Sequence, residues 1–256
     1  MDLAHIYADL AALPGEIGLY YHNLVTGESF RYHAGELYEA ASVIKLPLYA
    51  VIMKLSAEGK VDLDEKLLFR EEDKLPPCGA LYYLLGPMEV EIRSLCGLMI
   101  SLSDNTATNL LIRRFGLDFL NEQFREIGLE KTHFERLLFD GEAASHGLEN
   151  RVVPEEIGGL LERIAQREFV SPEISQEMET LLLEQQISHK IPGYLPEDTP
   201  VAHKTGEDSG ITNDVGVVFA REPFVLCFAS NHTDVPAAER TLRELALELY
   251  RHCSGE

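Results

Sequence analysis

The sequence predicts an α+β protein: an antiparallel five-stranded sheet flanked by helices, joined to a mostly helical lobe. Three observations predict it. Two strand-like stretches come early, helical apolar spacing fills the middle, and three strand-like stretches return near the end. Strands in that order pair most economically in one antiparallel sheet, with the terminal helices on one face and the helix after Ser42 on the other. In this reading residues 1–59 and 190–256 form the sheet lobe and 60–189 the helical lobe, as one structural unit. A small-molecule site is expected in the cleft between them.

Each element has a local reason. "MDLAHIYADLAAL" spaces its apolar residues as an amphipathic helix, and its early acid and missing basic start argue against a signal peptide. The expected location is therefore the cytoplasm, or outside the cell if a leader has been removed. "IGLYYHNLVTGESFRYH" reads as a hairpin, with strands at 17–23 and 28–33 around a Thr26-Gly27 turn. Helical spacing runs over 42–58 and stops at Gly59, a C-cap. "VEIRSLCGLMISLS", "NTATNLLIRRFG", "LDFLNEQFREIG", "PEEIGGLLERIAQ" and "SPEISQEMETLLLEQQ" are helical segments separated by Gly, Pro or Ser. "TPVAHKTG", "NDVGVVFA" and "FVLCFASN" are short β-branched or apolar strands, and a closing helix covers 235–252.

Composition narrows the partners. The 256 residues carry a formal net charge of −21, which argues against nucleic acid and anionic membranes as partners. No apolar run approaches the ~18 residues of a membrane span. The same charge repels an anionic small substrate, which would need a local cationic anchor. Cys78, Cys96, Cys227 and Cys253 lack C-x-x-C spacing and clustered histidines, so neither a metal site nor a cofactor is expected. Cys96 and Cys227 sit in apolar runs and read as buried thiols. The expected partner is a small-molecule substrate, and the expected state a monomer.

Three strings carry candidate chemistry: "SVIK" (Ser42 to Lys45), "SDN" (Ser103-Asp104-Asn105) at a break between helices, and "KTG" (Lys204-Thr205-Gly206) on a strand. Positions i and i+3 of a helix share a face, so the Lys45 amine can reach the Ser42 hydroxyl without tertiary help. Alone, that pair is equally an N-capping serine and an ordinary lysine. A serine hydroxyl is a poor nucleophile, and Lys45 serves as its base if desolvation and neighbouring cations lower its pKa. A helix start also sets the serine oxygen in the positive field of the helix N-terminus.

In this order the three strings, with "MISLSDNTATNLLI" and "GITNDVGVVF" around them, resemble the class A β-lactamase-like serine hydrolases of the β-lactamase and penicillin-binding protein superfamily. The likeness spans nearly the full chain. It implies that Ser42 forms an acyl-enzyme, that Ser103 relays a proton to the leaving nitrogen, and that Asn105 binds the substrate amide and orients Lys45. It implies that Lys204 and Thr205 face the substrate carboxylate and Ser103. Gly206 lets the strand approach the acyl group, and the backbone N–H groups of Ser42 and Glu207 form the oxyanion hole. Asp104 is read as holding its turn through local bonds.

The sequence departs from the family in three places. The family's loop glutamate, which activates the deacylating water, is replaced in "HFERLLFDGEAASHGLENRVVPEE" by Leu137 or Leu138. Glu142 is the expected substitute base, ahead of Glu135 and Asp140; otherwise the loop acids only add charge. Asn213 stands where many relatives place an arginine, which leaves Lys190 as either the carboxylate anchor or surface charge. Glu207 and Asp208 form an acidic pair beside that anchor. Tyr82, with Tyr83, is either an aromatic wall at the cleft mouth or core.

Overall fold

The computed structural model describes residues 3–76 and 78–255. The chain runs through α1 (Leu3–Ala12), the hairpin β1 (Glu16–Asn23) and β2 (Ser29–Tyr32), a short β3 (Tyr38–Glu39) and α2 (Lys45–Ala57). β4 (Lys66–Phe69) and β5 (Met88–Glu91) lead into α3 (Ile92–Ser101), α4 (Asn105–Phe115) and α5 (Leu117–Glu126). Next come α6 (Gly141–Ser145), β6 (Arg151–Val152), α7 (Pro154–Ala165) and α8 (Pro172–Leu183). β7 (Val201–Asp208), β8 (Ile211–Val218), β9 (Phe224–Asn231) and α9 (Val235–Ser254) close the sequence of elements.

The large sheet is antiparallel throughout, in the order β2-β1-β9-β8-β7. This is the α+β architecture expected from the order of strands. β1 pairs with β9 from Glu16↔Asn231 to Asn23↔Phe224, so the two ends of the chain complete one sheet. Period-2 alternation then assigns the faces. Leu19, Tyr21, Phe224, Leu226 and Phe228 pack with Ile6 and Leu10 of α1 and with Leu242, Leu245 and Leu249 of α9. Tyr20, Val215, Val217, Val225 and Cys227 point the other way, into the larger core.

That second face differs from the expectation. It is α7, not α2, that packs against β1, β8 and β9. Gly158 makes the approach possible, since a Cβ there would stand 2.3 Å from the Tyr20 ring. Meanwhile α2 packs against α3, α5 and α8. Its residues from Lys45 to Met53 are all buried, and a helix enclosed on every side belongs inside a helical layer rather than on a sheet.

Two small ladders were not legible in the sequence. β4 pairs with β5, and β3 pairs with β6 in the register Tyr38↔Val152 and Glu39↔Arg151. Directly after the second ladder, Ala40 N donates to Asn150 O at 2.8 Å. This seam fixes the segment that leads to Ser42 against the loop before α7. As expected, Cys96 and Cys227 are buried free thiols. Among the described residues no helix is long and apolar enough to cross a membrane.

Candidate active site

Ser42 lies in a 3-10 turn, Ala41–Ile44, between β3 and α2. The helix itself begins at Lys45, and no side chain caps either the turn or the helix, so the N-cap reading of Ser42 is excluded. Ser42 instead lines a cavity of about 300 Å³ together with Ser103, Asn105, Thr205 and Glu207. Its hydroxyl has no hydrogen-bond partner among the described residues and is free to meet a reactant. Three non-glycine residues on the cavity wall have left-handed backbone: Ala41 (φ 43°), Ser103 (φ 54°) and Phe139 (φ 62°). Each such residue stores roughly 1–3 kcal/mol of strain, which the surroundings must hold.

Asp104 does much of the holding. Its Oδ1 accepts from Ala107 N at 2.9 Å and caps α4, while its Oδ2 accepts from Leu81 N at 2.9 Å. The bond to Ala107 N is the local one expected of Asp104; the bond to Leu81 N, 23 residues away, adds a tertiary tie the sequence did not suggest. Ser103 is left between two amines. Lys45 Nζ donates to Ser103 Oγ at 3.1 Å, Ser103 O at 2.8 Å and Asn105 Oδ1 at 2.7 Å. Lys204 Nζ donates to Ser103 Oγ at 3.2 Å and to Thr205 O at 2.9 Å. The Lys45 amine therefore reaches past Ser42 to the SDN turn, and its three acceptors match the three protons of an ammonium.

Both lysines are fully buried. Desolvation first, and the Lys204 charge second, hold the Lys45 pKa well below its usual value; Asp104 pulls weakly the other way. Desolvation brings Lys204 down to about 7 against the opposing pull of Asp214. Ser103 Oγ joins the Lys45 amine to the Lys204 amine. The two amines and Ser103 lie side by side, and Ser42 lines the same cavity as Ser103.

Burial of these charges has a consequence for stability. In the unfolded chain a lysine keeps its proton up to about pH 10.5, whereas folded Lys204 loses it from about 7 upward. Below about pH 7 both states are protonated and the desolvation penalty is complete. Between those values only the unfolded chain holds the proton, so the penalty shrinks as pH rises. The urea midpoint of the parent, relative to that of Lys204→Met, is expected to climb between about pH 7 and pH 9.5. A difference independent of pH would show that burial does not neutralise Lys204.

The β7 side of the cavity is built by close approach. A Cβ on Gly206 would stand 2.9 Å from Ala40 O and 3.2 Å from Ser42 N, so only glycine lets β7 sit this near the Ser42 turn. Asn213, paired with Gly206 across the β7–β8 ladder, donates from Nδ2 to Glu39 O and Ala40 O. It is a strut between sheet and turn. Lys190 is 0% exposed, which overturns its reading as surface charge. Its Nζ donates to Gly206 O at 2.9 Å and Asn213 O at 3.2 Å and pairs with Glu207 Oε1 at 3.2 Å.

Other expectations fall outside the cavity. Asp140 Oδ1 accepts from Ala143 N and starts α6, which leaves Glu142 exposed on the first turn and away from the lining residues. Glu142 is therefore not beside Ser42. Glu135 is engaged by Glu149 N at 2.8 Å. Of the two leucines, Leu138 lines the cavity and Leu137 packs against the core. Tyr82 and Tyr83 stack edge to face on each other, exposed and outside the lining; they are neither wall nor core. The sequence reading missed Glu149 and Arg136, whose guanidinium contacts Glu149 Oε2 at 2.6 and 2.9 Å on the cavity wall. It also missed the buried His203–Asp214 pair, 2.9 Å apart, which holds Ile191 N at 3.0 Å beside Lys190. Polar residues on both faces of "VAHKTG" and "TNDVGV" were the available signal for that pair.

A family model described as the beta-lactamase enzyme family matches residues 3–253. The chain belongs to the beta-lactamase enzyme family. Curated relatives include beta-lactamases of Streptomyces albus G (27% identical, 87% of this chain and 74% of that protein) and Streptomyces lavendulae (28%, 91% and 81%). Among solved structures, a beta-lactamase from Sphaerobacter thermophilus DSM 20745 aligns with a TM-score of 0.90 at 28% identity, over 100% of this chain and 99% of that one. PBP-A aligns with a TM-score of 0.89 at 28% identity, over 99% and 96%, and a Leu→Glu mutant of it has been solved as an acyl-enzyme complex with penicillin G. The beta-lactamase fold and family make this chain a hydrolase of the serine beta-lactamase kind.

Proposed function

We propose that this chain opens a β-lactam, or a related amide, by acylating Ser42, and that it releases the acyl group slowly. The observation that carries the reading is the contrast between the two ends of the reaction. An open Ser42 hydroxyl adjoins the two-amine path through Ser103, while an aliphatic side chain, Leu138, stands on the wall where a base for water would be needed.

In acylation Ser42 Oγ bonds to the lactam carbonyl carbon, and its proton passes to neutral Lys45. The backbone N–H groups of Ser42 and Glu207 take the developing oxyanion, each such donor contributing about 3 kcal/mol. The C–N bond then breaks, and the nitrogen takes a proton from Ser103 Oγ, which is resupplied by Lys45. Deacylation needs water to lose a proton as it attacks the ester. Four carboxylates line the cavity among the described residues, Glu39, Glu149, Glu207 and Asp208, and Glu149 is engaged by Arg136. Leu138 supports a second reading in which acylation is the end point, as in a penicillin-binding protein.

Incubation with a chromogenic cephalosporin, followed by intact mass, separates the readings. A burst of one product per chain followed by slow turnover, with an adduct on Ser42, is expected. A stable adduct without turnover favours the acylate-and-hold reading. No adduct and no turnover with any β-lactam would overturn both and leave an esterase or amidase on this scaffold.

A further inference from the structure

The charges around the cavity are unlike those needed to hold a free carboxylate. Among the described residues lining it, four are acids and the cation is Arg136. Arg136 spends Nε and Nη2 on Glu149 Oε2, and Glu39 faces Arg151 at 3.6 Å. Lys45 and Lys204 are fully buried and bonded to the SDN turn. That leaves Lys190 as the remaining cation at the end of β7, and its ammonium has three protons to donate. Two are placed on Gly206 O and Asn213 O, and the ammonium forms an ion pair with Glu207 Oε1 at 3.2 Å. The same Glu207 oxygen stands 3.4 Å from His189 Nε2. Asp208, the next residue along β7, adds a second exposed acid on the rim.

We propose that the Glu207 carboxylate fills, from within the protein, the anion position beside Lys190, so that the site selects acyl donors whose flank at β7 is neutral or cationic rather than a free carboxylate. The inference rests on the acyl-Ser42 reading and names its substrate class. A substrate carboxylate arriving at this rim meets Glu207 and Asp208 and finds Lys190 buried and already paired with an acid. An ester or amide in its place avoids the repulsion. An ammonium group gains two acceptors, and charge-assisted bonds of that kind are the stronger ones. Glu207 is thereby a specificity-determining residue through its side chain, separate from the oxyanion role of its backbone N–H.

The test uses three probes with one acyl group: benzylpenicillin, its methyl ester and its 2-aminoethyl amide. The rate of covalent labelling of Ser42 is read by intact mass, each rate divided by that probe's own rate of hydrolysis in hydroxide. The parent is expected to label with the ammonium probe fastest and the carboxylate slowest, the extremes differing by about 10–100-fold. Glu207→Gln is expected to close that gap or reverse it by raising the carboxylate rate. Glu207 is half exposed on a strand end, so the substitution leaves the core alone; Glu207→Ala should act in the same direction. A parent that prefers the carboxylate probe, or an order unchanged in both variants, overturns the role of Glu207 and leaves the acyl-serine reading intact. Failure of all three probes to label Ser42 would instead sink the acyl-serine reading itself.

Discussion

Ser42→Ala abolishes covalent labelling by β-lactams and any turnover that depends on it. The expected loss is complete within detection, because the acyl-enzyme needs an oxygen at this position and the surrounding groups only move its protons. Ser103 is the nearest alternative hydroxyl, but it is 3% exposed and holds hydrogen bonds from both Lys45 and Lys204. Removing a nucleophile that works as one unit with its base typically lowers turnover by about 10⁶-fold. Intact mass after overnight exposure to benzylpenicillin or its methyl ester is the measurement. An adduct on the alanine variant at the parental rate would place the nucleophile elsewhere. Folding should be unaffected, since the hydroxyl has no partner to lose among the described residues.

Leu138→Glu shortens the life of the acyl-enzyme by about 10²–10⁴-fold, the usual contribution of a general base. The backbone at this position is held independently of its side chain. Leu138 N donates to Asn109 Oδ1 at 2.9 Å, and Leu138 O accepts from Asn109 Nδ2 at 2.9 Å. A glutamate placed there inherits the same path along the cavity wall. After removal of excess β-lactam, the decay of the adduct mass gives the lifetime directly. An unchanged lifetime with unchanged acylation would mean that the water approaches from another side, with one of the lining acids serving it. Leu138→Gln, which matches the size without the charge, should leave the lifetime long.

The readable and unreadable parts of this molecule differ in physical kind. The sheet was legible because alternation and turn residues are local, and the three candidate strings were legible because each fixes its own short-range geometry. What those strings could not reveal was the direction of the Lys45 amine. Its i, i+3 spacing permits Ser42, yet the tertiary fold brings Ser103 O, Ser103 Oγ and Asn105 Oδ1 within reach and turns the amine toward them. The exchange of α2 for α7 on the sheet was hidden for a similar reason. Both helices offer apolar residues to bury, and the deciding residue, Gly158, matters only once Tyr20 is known to face it. Glu142 was misplaced because the cap at Asp140 starts a helix too short to show periodicity, and that helix turns the side chain outward. Lys190 stayed open between anchor and surface charge because nothing in "SHKIPG" announces that two strand carbonyls and an acid will enclose it.

The seam between β3 and β6 has a bearing on how such a site can diverge over time. Asn150 accepts Glu135 N and Arg136 N on its side chain and Ala40 N on its carbonyl, so one residue ties both ends of the loop to the nucleophile's turn. Inside that tie, the stretch from 137 to 148 can lengthen, shorten or change its acids without moving Ser42. A change at Asn150, by contrast, would loosen both ends of the loop and the Ser42 turn together.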